Sequence, residues 1–277
     1  MGEFKSFEHG MSLIIITSGY GENPMLVTLL GTGTSHGVPV LGCNCPTCTS
    51  DDPRDNRSRS SVYIQTGKIN ILIDTATEMR LQTLKNKVTG VDLVLLTHNH
   101  ADHVSGFDDL RRFNELQGES IPVYGNHATL QGIAAMFPYI FDDTVQAGGG
   151  KPLVNLIEVE NSFAFAGVKI TPVPVWHGEI PIFGYRIADF AYITDCSRIT
   201  PAGLELLKDL KLLILGVLRF KQHPTHFNLE EGLAMVGRLK PERCFFTHIA
   251  HDFKHSEVNR LLPEGVALGY DGLRVNI

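Results

Sequence analysis

One nine-residue stretch constrains this chain more than any other: Leu95-Leu96-Thr97-His98-Asn99-His100-Ala101-Asp102-His103. Asp92 to Leu96 is a short apolar run and reads as a buried strand. Four side chains able to bind metal, His98, His100, Asp102 and His103, follow it directly. Crowded so tightly, they cannot all serve one ion without strain, but they can face two adjacent ones. His98 and His100 alternate to one side, and Asp102 and His103 turn to the other. Imidazole and carboxylate together suit zinc, manganese or iron. The apolar strand in front holds this loop at a strand end, where functional sites tend to sit.

The rest of the chain sets the limits. A length of 277 residues fits one large domain or two small ones. With 43% hydrophobic and 19% charged residues it can bury a sizeable core. A formal net charge of -6 argues against a polyanion partner such as DNA, which is gripped by dense Lys and Arg contacts. No stretch approaches the roughly 18 apolar residues of a spanning helix, so no membrane is expected. The early apolar run Leu13 to Ile16 is too short for a signal-peptide core, and Glu3 and Glu8 offset Lys5. Three of the five cysteines crowd into Cys43-Asn44-Cys45-Pro46-Thr47-Cys48. Neighbours so close rarely pair with each other, which points to metal ligation in a reducing compartment, and so to the cytoplasm.

In chain order, residues 1–24 lack a sustained period and read as a leader or extension, with Met11 or Met25 as the natural start; residues 25–277 read as one domain. Leu26 to Leu30 opens it as a strand. Gly31-Thr32-Gly33-Thr34-Ser35-His36-Gly37 follows, without the Gly-Lys-Ser/Thr of a phosphate loop or a third Gly opening a helix. It reads as a tight turn at a site rim, with His36 near substrate. Ser50 to Ser60, carrying Arg54, Arg57 and Arg59, reads as a polar loop. Ser61 to Thr66 and Ile69 to Ile73 form a hairpin across Gly67-Lys68. Thr75 and Glu78 fit a capping box for a helix to about Asn86. Gly106 to Gln117 and His127 to Phe137 are helical, Ile121 to Tyr124 is a strand, and Gly148-Gly149-Gly150 is a flexible loop. Strands then dominate: Val154 to Val159, Phe163 to Phe165, Val168 to Val175, Phe183 to Ile187, Phe190 to Ile193 and Leu212 to Leu215. Thr200-Pro201 starts a helix, and Asn228 with Glu231 caps another to about Arg238. Cys244 to Thr247, Val266 to Leu268 and Leu273 to Val275 complete the strands. Grouped strands with helices between them, in a pattern that occurs twice, suit an α/β fold of two sheets packed face to face with helices outside, a four-layer αββα sandwich.

Three more metal-capable residues stand where strands run out: His177 in Val175-Trp176-His177-Gly178, Asp195 in Ile193-Thr194-Asp195-Cys196, and His248 in Thr247-His248-Ile249-Ala250-His251. His-x-His-x-Asp-His followed by His, Asp and His at strand ends resembles the metallo-β-lactamase superfamily, and the likeness runs from Met25 to the C-terminus. Within it the chain looks most like the PhnP-type phosphoribosyl cyclic phosphate phosphodiesterases. That likeness is carried by Gly-Thr-Gly near the start, Gly42-Cys43-Asn44-Cys45-Pro46-Thr47-Cys48, Thr247-His248-Ile249-Ala250-His251 and Gly269-Tyr270-Asp271-Gly272.

The resemblance implies that His98, His100 and His177 hold one divalent ion, that Asp102, His103 and His248 hold a second, and that Asp195 bridges. It also implies a structural zinc on Cys43, Cys45, Cys48 and His251, a donor set suited to a closed tetrahedral site. Cys196 and Cys244 read as core residues. Two adjacent ions, zinc or manganese and failing those iron, would turn a bridging water into hydroxide and stabilise displacement at phosphorus. His226, in Pro224-Thr225-His226-Phe227-Asn228-Leu229, matches the position of the family's general acid, with His223 as its rival. It lies just before a helix N-terminus, which favours phosphate but disfavours a protonated ring. Arg111 reads as an exposed helix charge.

The expected activity is a dinuclear metal-dependent phosphodiesterase acting on a small cyclic phosphate or nucleotide-like diester. The alternatives are a thioester or lactone hydrolase on the same fold, and a metal-binding regulatory protein that no longer catalyses. tRNA processing fits less well, because no long basic insertion is present. A flavin-linked redox role fits less well too, because that branch usually has Glu where His100 stands. The expected partner is a small-molecule substrate rather than a nucleic-acid polymer, with a homodimer left open.

Overall fold

A computed structural model of the protein describes residues 25–142, 144 and 150–277. The expectations for residues 1–24 and for Gly148 and Gly149 fall outside the described residues.

The first half supplies β1 (Leu26–Gly31), β2 (Ser61–Gln65), β3 (Asn70–Ile73), β4 (Leu93–Leu95), β5 (Ile121–Gly125) and β6 (Val154–Glu158). The second supplies β7 (Phe163–Phe165), β8 (Val168–His177), β9 (Ile180–Ile187), β10 (Phe190–Ile193), β11 (Arg198–Ile199), β12 (Leu212–Gly216), β13 (Arg243–Thr247), β14 (Val266–Leu268) and β15 (Arg274–Asn276). Among the described residues one sheet runs β15-β1-β2-β3-β4-β5-β6, and the other runs β11-β8-β9-β10-β12-β13-β14, with β7 on β8. One half of each sheet is parallel, out to the edge: β3 to β6 in the first, β10-β12-β13-β14 in the second.

The period of two along these strands builds the layers. Leu212 and Ile214 of β12 face the core between the sheets, while Leu213 and Leu215 face the outer helices. Ile71 and Ile73 of β3 point inward and Leu72 outward. Strands buried on both faces read as continuous apolar runs rather than alternating ones, which is why Leu-Leu-Ile-Leu at 212–215 shows no polar break. Helices α1 (Met79–Asn86), α2 (Ala101–Val104), α3 (Leu110–Gln117), α4 (His127–Met136) and α5 (Pro138–Phe141) belong to the first half. Met79, Leu110, Phe113, Leu130 and Ile133 cover the outer face of the first sheet. Helices α6 (Pro201–Leu206), α7 (Leu229–Leu239) and α8 (His255–Val258) follow in the second half, and Leu204, Leu233 and Val258 cover its sheet. Hence two sheets share one interior, and each has helices outside.

The capping motif expected at the start of α7 is present: Asn228 accepts the Glu231 amide and Glu231 accepts the Asn228 amide. The one expected at Thr75 and Glu78 is not, since α1 starts at Met79 without a side-chain cap. The Glu78 carboxylate instead accepts the Arg59 amide at 3.0 Å and pairs with the Arg59 guanidinium. Thr75 turns its hydroxyl to the Val104 carbonyl. The expected 106–117 helix is a 3-10 turn at Phe107–Asp109 followed by α3. No helix among the described residues is long and apolar enough to cross a membrane.

Candidate metal centre

The parallel strands deliver their C-terminal ends to one rim. His98 and His100 leave β4, and Asp102 and His103 lie on α2. His177 closes β8, Asp195 follows β10, and His248 follows β13. Three rim residues occupy the left-handed region, Asp74 at φ 61°, Asp195 at φ 49° and His248 at φ 56°. Non-glycine residues there cost on the order of 1–3 kcal/mol each and persist where surrounding structure over-determines them. Here they re-aim a side chain where a strand ends. Gly216 lets β12 approach closely, because a Cβ on it would stand 3.0 Å from the Asp195 amide nitrogen.

Two groups of donor atoms result. His98, His100, His177 and Asp195 converge within 4.8 Å of one another, as do Asp102, His103, Asp195 and His248. Asp195 is common to both. Its Oδ2 is 3.8 Å from His98 Nε2 and 3.2 Å from His248 Nε2, and its Oδ1 is 3.3 Å from His103 Nε2. Asp102 Oδ2 lies 3.2 Å from His103 Nε2 and 3.5 Å from His248 Nε2. Nitrogen and oxygen ligands at 2.0–2.2 Å and tetrahedral angles would stand about 3.4 Å apart, so the second group has the edges of a coordination shell.

The chain itself selects the tautomers. Three donors converge on the buried Asp74: the Thr97 amide at 2.8 Å, the Thr97 hydroxyl at 2.8 Å and His103 Nδ1 at 2.8 Å. With its only proton on Asp74, Thr97 Oγ1 accepts from His98 Nδ1 at 3.0 Å. His177 Nδ1 donates to the Thr225 carbonyl at 2.9 Å. Each ring therefore turns a lone pair at Nε2 into the site. The buried Nε2 atoms of His98 and His103 have no hydrogen-bond partner. Burial, with His103 adding to it, pushes His98 well below its ordinary pKa and keeps it neutral. Burial alone would raise Asp102, but His103 and then His248 bring it well below the usual carboxylate range. Against burial, Asp195, Asp74 and Asp102 push His103 well above its ordinary pKa. The orphaned neutral nitrogen of His98, set beside ionised carboxylates, fits a divalent ion, since a buried polar atom left without a partner is costly.

A separate set joins Cys43, Cys45, Cys48 and His251. His251 Nδ1 is 3.3, 3.5 and 3.5 Å from the three sulfurs. Sulfur at 2.3 Å and nitrogen at 2.0–2.1 Å on a tetrahedral zinc would be about 3.5 Å apart. The Cys48 amide, donating to Cys45 Sγ, pulls the Cys45 thiol down to about 6, so it is a thiolate at neutral pH. Cys196 and Cys244 are buried in the second sheet's outer core, as expected.

His226 stands over the pair. Its ring stacks on His248 at 4.9 Å and 14°, and its Nδ1 is 3.9 Å from Asp195 Oδ2. Burial lowers its pKa to about 3, with Asp195 opposing and His248, His177 and His223 adding to the shift. His223 sits farther out, its Nδ1 bound by the Thr225 amide and hydroxyl. His36 is exposed on its turn. Arg111 pairs with Asp108 at 3.1 Å on the surface of α3. Arg57 departs from the polar-loop reading: it is 2% exposed and donates to the Thr32 hydroxyl, the Gly269 carbonyl and His255 Nδ1. Asp271 accepts from Ser58 and Thr32 beside it. Neither Asp74 nor Arg57 was expected at the site. The one signal for Asp74 is its place at a strand end.

Residues 69–249 match the family model described as a beta-lactamase superfamily domain. A protein described as a new diphosphatase from the PhnP family has a crystal structure that superimposes at a TM-score of 0.86. It is 40% identical, covering 92% of this chain and 97% of that one. An octanoyltransferase of Porphyromonas gingivalis is 38% identical over 91% of this chain, and the chain spans about half of that protein's length (52%). Zinc-bound PqqB of Methylobacterium extorquens shares the fold at a TM-score of 0.74 and 19% identity, over 91% of this chain and all of that one. With the family model covering the first sheet's parallel half and most of the second sheet, and with a buried His and Asp cluster able to hold metal, this chain belongs to the metallo-β-lactamase superfamily of metal-dependent hydrolases.

Proposed function

We propose that the protein is a phosphodiesterase that uses two divalent ions on a small cyclic phosphate or nucleotide-like diester. The observation that supports this most is the 40% identity to a PhnP-family diphosphatase across nearly the whole of both chains, joined to a site in which all seven expected donors converge. His98, His100 and His177 would hold one ion, Asp102, His103 and His248 the other, and Asp195 would bridge. Such a pair lowers the pKa of water and stabilises both oxygens of a displacement at phosphorus.

The chain's own residues account for the rest. Asp74 and the Thr225 carbonyl hold the imidazoles in the tautomer that offers Nε2. His226, neutral in this setting, faces the pair from the α7 side and is placed to donate an N–H to a leaving oxygen. The positive end of the α7 dipole behind it favours an anion. A bound phosphate would raise the His226 pKa toward the range where a general acid works.

The PhnP-family relative is described as a diphosphatase, so phosphoanhydride cleavage is the second reading. The two share attack at phosphorus and differ in leaving group. A screen of the purified protein against a cyclic ribose phosphate, an alkyl diester, a nucleoside diphosphate derivative, a thioester and a lactone, with zinc and manganese supplied separately, tests the assignment. Turnover confined to the thioester or lactone would overturn it.

A further inference from the structure

His248 differs from His98, His103 and His177 in how it is held. Hydrogen bonds at Nδ1 orient His98, His103 and His177. The Nδ1 of His248 is buried and has no hydrogen-bond partner. Ring stacking on His226 and on His103, at 5.6 Å and 19°, limits its tilt, and Asp195 and Asp102 face its Nε2, but no polar group holds it from the Nδ1 side. The backbone must do so, in a left-handed conformation that a non-glycine residue adopts only under constraint.

The constraint is visible on both sides of Thr247–His251. The Val217 amide donates to the Thr247 carbonyl at 2.9 Å and the Ala250 amide to the Leu218 carbonyl at 2.9 Å. Opposite them, the Ile249 amide donates to the Thr32 carbonyl at 2.9 Å, and the Ile249 carbonyl accepts the Thr34 amide at 3.1 Å. Beyond Ala250 the stretch ends on His251, in the thiolate set. Thr32–Thr34, which clamps Ile249, runs on into the loop that carries Cys43, Cys45 and Cys48. Beyond Ile249 the two segments meet again where His251 faces the sulfurs, three residues from His248.

We infer that His251 is a positioning residue for the active-site pair: an ion on the thiolate set closes the lattice around Ile249 and so sets the aim of His248 into the subsite of Asp102 and His103. This rests on the two-ion reading of the site, but not on the substrate class. The consequence is an order of loading, in which the subsite containing His248 tightens once the cysteine set is filled. The subsite of His98, His100 and His177 is oriented through the Nδ1 hydrogen bonds of His98 and His177 and is independent.

The test is a cobalt titration of the full chain with chelator competition, in which thiolate-to-cobalt absorption separates the cysteine set from the nitrogen and oxygen sites. His251→Ala is compared with His251→Cys, which restores a fourth ligand. In wild type the cysteine set should fill and hold its ion. Losing an outer group that orients a ligand typically weakens metal binding about 10–100-fold. That loss is expected in His251→Ala for one active-site ion only, with His251→Cys recovering most of it. Cys43→Ser leaves residues 247–251 intact and should weaken the same ion, which keeps the question open to test if His251→Ala does not fold. Wild-type affinity for both active-site ions in either variant, once the cysteine-set ion is lost, would overturn the inference, as would equal weakening of both. Failure of the phosphodiesterase assignment would show only in the substrate screen and leave these affinities unchanged.

Discussion

Asp74 Oδ2 lies 2.8 Å from His103 Nδ1, and both side chains are fully buried. The same carboxylate reaches Thr97, whose hydroxyl orients His98. One residue at the end of β3 therefore sets two imidazoles, one in each donor group. Asp74→Asn should lower affinity for both active-site ions by about 10–100-fold while the thiolate set keeps its ion. Metal analysis after graded chelation checks this. Unchanged retention of the pair would show that the rings need no such support.

Asp195 is the one side chain common to both donor groups. Asp195→Ala should abolish hydrolysis, and metal should be lost mainly from the pair. Wild-type turnover in that variant would remove Asp195 from the site.

The two kinds of site should separate under chelation. At full occupancy about three ions per chain are expected, one of them resistant to mild chelator, because thiolates and a nitrogen and oxygen set differ in softness. Reduced, folded protein that retains no zinc on Cys43, Cys45, Cys48 and His251 would contradict the structural-site reading.

His226 distinguishes leaving groups. A general acid contributes typically about 10²–10⁴-fold, and mostly where the leaving oxygen is strongly basic. His226→Ala should keep both active-site ions and slow an alkyl or ribose diester far more than a p-nitrophenyl diester. Steady-state kinetics on that pair decide the role. Equal losses would make His226 a phosphate-positioning group, and no loss would pass the acid role to His223 or to water.

His255 carries a pH dependence away from the metal sites. Burial, then the Arg57 charge, lowers its pKa to about 4 from an ordinary value near 6.5. As pH falls through 6.5 the unfolded chain takes up a proton that the folded ring refuses until about 4. Stability from this group is thus full above 6.5 and is lost between 6.5 and 4. His255→Gln, which keeps an acceptor for Arg57, should show a shallower fall in denaturation midpoint between pH 7 and 5. Identical slopes in the two proteins would exclude His255 as a contributor.

Much of this protein is decided within short windows of sequence. The seven active-site donors and the thiolate set stand where strands run out or in one tight cluster. Apolar runs such as Leu212 to Leu215 specify buried strands because their period and length are local properties. What only the tertiary structure decided is which polar residues become partners. Thr75 and Glu78 have the spacing of a capping box, yet Glu78 is taken by Arg59, because a charged donor from a neighbouring loop binds a carboxylate more strongly than a helix amide does. Arg57 reads as a solvated loop charge and is buried. Its acceptors, the Gly269 carbonyl and His255, lie about two hundred residues away in sequence and exist only once the C-terminal turn has closed over Thr32. Asp74 is one acid among many until β4 is laid beside β3 and brings it Thr97 and His103. Propensity and periodicity act over a few residues, whereas burial and charge pairing act across whatever the fold brings into contact. That is why the metal-capable residues could be read in order along the chain, while the groups that aim them could not.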